Sequence, residues 1–261
     1  MAEVIIVHSK NDATKLAANI FVDVVRQKPN AVWGLATGST PVMMYKHIAN
    51  IVANDKIDIS QVQGFALDEY VGLPKGHPES YTNFISKNVI KQIGLNPRKV
   101  HLPSGDMKYL ATSGDDYEVK IKAAGGVDVQ ILGVGTDGHI GFNEPGSSLA
   151  SRTRIKTLTE QTREDNSRFF NSIDEVPIHC ITQGIGTIMD ARHIVLLAFG
   201  ENKSDAIVKA VEGSVTAASP ASAIQLHPHV TIIVDDAAAS KLRYRSYYKW
   251  AYLNKPKWQG I

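Results

Sequence analysis

Residues 127–139 read Val-Asp-Val-Gln-Ile-Leu-Gly-Val-Gly-Thr-Asp-Gly-His. Within that stretch, Val129-Gln130-Ile131-Leu132-Gly133-Val134 is apolar at nearly every position, as are Val32-Trp33-Gly34-Leu35-Ala36 further up the chain. Strands covered on both faces have this composition, because helices bury each side of the sheet. Working outward, short β-branched runs at 4–7, 31–36, 64–67, 127–132, 194–199 and 230–234 predict strands. Longer segments of helical period at 12–27, 41–54, 80–93, 117–124, 202–212 and 237–251 predict the helices between them. The alternation predicts an α/β fold: a doubly wound, mostly parallel sheet with helices on both faces, Rossmann-like. No internal repeat or low-complexity linker interrupts it, so the expectation is a single domain over 1–261.

Composition narrows the function classes. With 261 residues, 43 % hydrophobic and 21 % charged, the chain is long and apolar enough to bury a core. Lys plus Arg total 28 against 26 acids, and a net charge of +2 argues against nucleic acid or a membrane surface as partner. The lone cysteine, Cys180, excludes an internal disulfide and any zinc site built on two cysteines of one chain. No apolar run approaches the roughly 20 residues of a membrane span. The first residues, Met-Ala-Glu-Val-Ile-Ile-Val-His, have neither a basic start nor a long apolar stretch, so no secretory signal and a cytoplasmic location are expected.

In such a sheet ligands bind beyond the carboxyl ends of the strands, and three post-strand loops carry chemistry. The first is Thr37-Gly38-Ser39-Thr40-Pro41. Gly38 permits close backbone approach, Pro41 suits the first turn of a helix, and Ser39 or Thr40 can cap it. Free amides and hydroxyls at a helix start suit a phosphate; a plain capped turn would use the same residues. The second loop follows strand 64–67 and begins with two adjacent acids, Asp68 and Glu69. A partly desolvated carboxylate at a strand mouth can serve as a general base, whereas an acid in that place can equally cap the next turn.

The third loop, Gly133-Val-Gly-Thr-Asp-Gly-His-Ile-Gly-Phe-Asn-Glu-Pro145, spells G-x-G-x-x-G over 133–138. A dinucleotide site needs a helix directly afterwards, and the loop-like Phe-Asn-Glu-Pro-Gly-Ser-Ser follows instead. Asp137 would also set a negative charge beside the pyrophosphate. A catalytic loop fits better. Asp137 and His139 are two apart and point the same way in extended backbone, and Glu144 follows after a bend. Two carboxylates can set the tautomer and basicity of a histidine. The same three groups could bind a metal, but no metal-ligand spacing enforces it. Downstream bases (Arg152, Arg154, Lys156, Arg163, Arg168, Lys203) flank these loops and include candidates to hold a phosphate.

The loops together resemble the glucosamine/galactosamine-6-phosphate isomerase family from about Thr37 to Asp236. The resemblance rests on Leu67-Asp-Glu-Tyr-Val-Gly-Leu-Pro74, His77-Pro-Glu-Ser-Tyr81, Gly133–Pro145, Ser147-Ser-Leu-Ala-Ser-Arg-Thr-Arg-Ile-Lys-Thr157 and Gln225-Leu-His-Pro228. The 6-phosphogluconolactonases of the same superfold share Gly-Asp-Gly-His but continue without an acid where this chain has Glu144. A lactonase or related sugar-phosphate isomerase is the alternative reading, and a silent sugar-phosphate-binding module a third.

What the resemblance implies is an enzyme that converts glucosamine 6-phosphate and water to fructose 6-phosphate and ammonia, with no metal or organic cofactor. Asp68 would move the proton from C2 to C1. His139, oriented by Asp137 and Glu144, would open the ring. Thr37, Gly38, Ser39 and Thr40, with Arg168 and Lys203, would hold the 6-phosphate. Some members are hexamers activated by N-acetylglucosamine 6-phosphate and others are unregulated monomers, so a homo-oligomer, hexamer or lower, is compatible with the family. Ser147, Ser148, Arg154, Lys156 and Thr157 match the regulated members' second anion site. Near the C-terminus, Tyr244, Tyr248 and Tyr252 recur every four residues and would line one helix face.

Overall fold

The computed structural model describes residues 2–259. Among these residues ten strands follow in chain order: β1 (Ala2–Val7), β2 (Val32–Leu35), β3 (Gln63–Ala66), β4 (Asp68–Tyr70), β5 (Val100–His101), β6 (Val129–Leu132), β7 (Arg154–Thr157), β8 (His179–Thr182), β9 (His193–Ala198) and β10 (Val230–Asp235). Between them lie α1 (Lys10–Gln27), α2 (Val42–Asn54), α3 (Tyr81–Ile85, widening into π-helical turns over Ser86–Gly94), α4 (Leu110–Ala123), α5 (Glu160–Ser167), α6 (Ile185–Met189) and α7 (Ser204–Val211), and α8 (Arg245–Leu253) follows β10.

Seven strands form one parallel sheet in the order β1-β10-β9-β6-β2-β3-β5. The six strands expected from sequence are its β1, β2, β3, β6, β9 and β10. Along the chain, β2, β3 and β5 progress toward one edge, while β6, β9 and β10 progress toward the other. Right-handed crossovers therefore place α1, α2 and α3 on one face, and α4 and α7, whose crossovers run the other way, on the opposite face. The direction reverses between β2 and β6, which pair directly at Trp33↔Val129 and Gly34↔Gln130. A crevice opens outside the carboxyl ends at such a reversal. Strands β2, β6 and β9 are buried at every position, as expected of strands covered on both sides.

A second sheet, antiparallel and ordered β4-β8-β7, was not legible in the pattern. Its β7 reads Arg-Ile-Lys-Thr with a half-exposed face, so it carries no buried-strand signature. It encloses a small apolar cluster of Tyr70, Phe142, Leu158 and Cys180, separate from the main core. This sheet stands over the carboxyl edge of the large one: the Gln183 amide donates to the Leu67 carbonyl at 2.7 Å, and the Phe142 amide to Thr182 Oγ1 at 3.1 Å.

Two predicted helices differ in extent. The helix expected at 117–124 begins at Leu110, because Ser113, a poor helix former, is buried there and its hydroxyl donates to the Ser104 carbonyl at 2.8 Å. The helix expected at 237–251 is turns as far as Tyr244, and only Arg245–Leu253 is helical. Asp235 takes the Ala238 amide at 2.7 Å, and Glu212 takes the Arg243 and Tyr244 amides at 2.9 and 3.0 Å, so these amides bond carboxylates. Tyr248 and Tyr252 pack against the main core as expected of one face, while Tyr244 is half exposed. Among the described residues no helix is long and apolar enough to cross a membrane.

Candidate functional site

A cavity of about 460 Å³ lies at the β2/β6 reversal. Its walls include Thr37, Gly38, Ser39, Thr40, Asp68, His139, Arg168 and Lys203, so the fold gathers most of the residues singled out from sequence.

The floor at one end is the loop after β2. The expected side-chain cap is absent: α2 starts at Val42, Pro41 takes the cap position, and no side chain bonds the first turn. Gly38 has φ +83°, a conformation that strains any other residue. Thr37, Ser39 and Thr40 thus line the cavity just ahead of an uncapped helix start, the arrangement that attracts an anion. Lys203 and Arg168 line the same cavity from the turn Glu201–Lys203 and from the end of α5. Burial pulls the Lys203 ammonium pKa down and nearby Arg168 adds to this, while Asp165 and Asp137 oppose both.

The two adjacent acids divide the work. Glu69 caps α3: its Oε1 accepts from the Tyr70 and Tyr81 amides at 2.9 Å, and its Oε2 from the Thr82 amide and hydroxyl at 2.7 Å. The capping reading therefore holds, for Glu69. Asp68, on the opposite face of β4, is 5 % exposed and looks into the cavity. Burial pushes its carboxyl up to about 8; the Glu69 charge adds to this and His139 opposes it.

The loop after β6 makes an ion-paired cluster. His139 Nδ1 lies 2.8 Å from Asp137 Oδ1, off the direction of the ring N–H, and 3.5 Å from Glu144 Oε2. Asp137 Oδ1 also accepts the His139 amide at 3.0 Å, which fixes the spacing of the pair. Burial alone would lower the imidazole pKa, but the Asp137 and Glu144 carboxylates outweigh it and raise it to about 9. Asp137, against the upward push of burial, is held well below the usual carboxylate range by His139. Glu144 is buried behind them, and its Oε1 accepts from the Thr162 hydroxyl at 2.7 Å. Gly135 is required here, since a Cβ on it would stand 2.3 Å from His139 Cε1. No helix follows Gly138, so the dinucleotide reading lacks its central element; the next helix is α5. The donor atoms of Asp137, His139 and Glu144 lie within 4.8 Å of one another, close enough to share a divalent cation.

The remaining candidates lie outside this cavity. The Ser147 hydroxyl is buried and donates to the Glu144 carbonyl at 2.7 Å, and Ser148 accepts the Ala150 amide at 3.3 Å. Arg154 reaches Asn143 Oδ1 at 2.7 Å. Arg154 and Lys156 share one face of β7, and Thr157 lies on the other.

Three contributors had no role assigned from sequence. Tyr81 lines the cavity and stacks on Phe142 with centroids 5.8 Å apart. Thr162 supports Glu144 from a helix 18 residues later. Lys10 lines the cavity from the start of α1; its place just past a predicted strand was the available signal.

The chain is similar to known proteins in sequence and fold. Residues 8–233 match the family described as glucosamine-6-phosphate isomerases/6-phosphogluconolactonase. A glucosamine-6-phosphate deaminase of Bifidobacterium longum is 57 % identical over 270 residues, covering 100 % of both chains. One from Streptomyces coelicolor is 52 % identical over 260 residues, covering 99 % of this chain and all of its own. Among solved structures, a monomeric glucosamine-6-phosphate deaminase superposes with a TM-score of 0.89 at 39 % identity, covering 91 % of this chain and 99 % of its own. A 6-phosphogluconolactonase from Trypanosoma cruzi has a TM-score of 0.74 at 19 % identity over 93 % of this chain and 97 % of its own, a likeness of fold alone.

Proposed function

The chain belongs to the family of glucosamine-6-phosphate isomerases and 6-phosphogluconolactonases, and from that membership we propose that it deaminates glucosamine 6-phosphate. Water and the amino sugar phosphate give fructose 6-phosphate and ammonia. The observation that carries this reading is Asp68, a buried carboxyl of raised pKa facing the same cavity as the His139 ion pair.

The chemistry follows from those groups. His139, held as an imidazolium by Asp137 and Glu144, donates a proton to the ring oxygen, the imidazole then takes the anomeric hydroxyl's proton in its place, and the pyranose opens to the aldehyde. Asp68 as carboxylate takes the C2 proton, the C–H electron pair forms the C1–C2 double bond, and the carbonyl oxygen takes a proton from the substrate's ammonium, giving a neutral enolamine. The substrate's ammonium, next to C2, favours the ionised Asp68 when bound. Asp68 then returns the proton to C1, leaving an iminium at C2. Water adds there, the nitrogen takes up that water's two protons and leaves as ammonium, and the ketone remains, so atoms and charge balance without an oxidant. Thr37, Gly38, Ser39 and Thr40, with Arg168 and Lys203, hold the 6-phosphate at the other end.

The deaminase reading is favoured over a lactonase by Glu144, an acid beside His139 that ester hydrolysis does not call for. The test is release of ammonia and fructose 6-phosphate from glucosamine 6-phosphate by the pure protein. Equal amounts of both support the reading; no ammonia, with hydrolysis of 6-phosphogluconolactone, overturns it. Running the assay with N-acetylglucosamine 6-phosphate tests the proposed second anion site at Ser147, Ser148, Arg154, Lys156 and Thr157. Phosphorylated sugars as substrates support a cytoplasmic location for the single domain over 1–261, and a second anion site of this kind, which needs a subunit interface, goes with a homo-oligomer, hexamer or lower.

A further inference from the structure

We infer that Lys10 is a third cation for the substrate's phosphate, supplied by the N-terminus of α1. The inference rests on the sugar-phosphate reading above and adds a binding residue to it. Lys10 is the first residue of α1, three positions past the end of β1. β1 lies at the sheet edge, with β10, β9 and β6 between it and β2. The side chain nevertheless reaches the loop after β2: its Nζ donates to the Ser39 carbonyl at 3.3 Å and lies 5.5 Å from the Phe199 ring centroid. Lys10 therefore lines the cavity beside Ser39, with Lys203 and Arg168 on the same wall system.

Two features separate this lysine from a surface charge. First, no carboxylate among the described residues pairs with it; a carbonyl and a ring face hold its ammonium without neutralising it. Lys203, by contrast, shares its field with Asp165 and Asp137. Second, a cation in the first turn opposes the helix dipole, so its position is unexplained by the stability of α1. An anion bound at the loop removes the conflict, because it sits between the ammonium and the uncapped start of α2. A phosphate dianion meeting Lys10, Lys203 and Arg168 is held from three elements, β1–α1, the turn before α7, and α5.

The variants are Lys10→Met, Lys10→Gln and Lys10→Arg. The readouts are KM and kcat with glucosamine 6-phosphate, the competitive inhibition constant of inorganic phosphate, and phosphate affinity by calorimetry. Lys10→Met and Lys10→Gln should raise KM and the phosphate constant together by about tenfold, the loss of one charge-assisted hydrogen bond, with kcat within twofold. Lys10→Arg should restore most of the affinity. KM and phosphate affinity within twofold of the parent in both neutral variants overturn the inference, as does a fall in kcat with both constants unmoved. A parent protein inert toward glucosamine 6-phosphate, whose phosphate affinity still falls in Lys10→Met, overturns the proposed reaction and upholds Lys10 as an anion ligand.

Discussion

Asp68 and Glu69 are neighbours in the chain with opposite assignments: Glu69 accepts three hydrogen bonds at the start of α3 and a fourth from the adjacent Tyr70 amide, while Asp68 looks into the cavity with its pKa raised by burial to about 8. A strand sends successive side chains to opposite faces, so one residue of register decides which acid is structural and which is available to a ligand.

Asp68→Asn should abolish ammonia release, a loss of roughly 10²-fold or more for removal of a general base, while calorimetry still detects substrate. The same variant should melt higher. Asp68 has its folded pKa near 8 against 3.8 for a free carboxyl, so the folded state loses stability as pH rises between those values. At pH 7 the amide should be more stable by ~2 kcal/mol, or several degrees in Tm, and the gain should vanish near pH 4. Equal melting of parent and variant at pH 7 contradicts the burial of the charge.

Glu69→Gln should act the other way. Losing a charged acceptor for four donors should cost about 1–3 kcal/mol, read as a lower Tm. The Glu69 charge adds to the raised pKa of Asp68, so the acid limb of kcat/KM should also move to lower pH.

The parent's kcat/KM should be bell-shaped, rising as Asp68 ionises near 8 and falling as His139 loses its proton near 9. Glu144→Gln removes one of the carboxylates that raise His139, so the alkaline limb should shift to lower pH and the bell narrow. An unmoved alkaline limb would assign that limb to another group.

Gly135→Ala places a Cβ 2.3 Å from His139 Cε1 and 2.4 Å from Nδ1. The ring must turn away from Asp137, so kcat should fall by about 10-fold or more while the phosphate affinity, set by the loop after β2, stays within twofold.

The sequence already contained much of this site. Apolar runs such as Val129–Leu132 announced strands buried on both faces, and the rule that ligands gather at their carboxyl ends pointed to the loops at Thr37, Asp68 and Gly133. Asp137 and His139 were legible as a pair because they are two residues apart. The antiparallel sheet was not, since β7 is too exposed to carry an apolar period. The capping expectation for Ser39 and Thr40 failed because Pro41 occupies the cap position, and both residues line the cavity instead.

What the chain by itself determined is therefore local: strand and helix order, the loops that follow each strand, and the residue types within them, because these depend on hydrophobic period and short spacing. Folding settles which of two adjacent acids faces the cavity, how His139 is charged, and that Lys10 meets a loop on the far side of three strands. Those properties arise from burial and from contacts between segments distant in sequence, such as Glu69 with Thr82, Glu144 with Thr162 and Lys10 with Ser39. A one-dimensional pattern holds neither the depth of a charge nor its long-range neighbours.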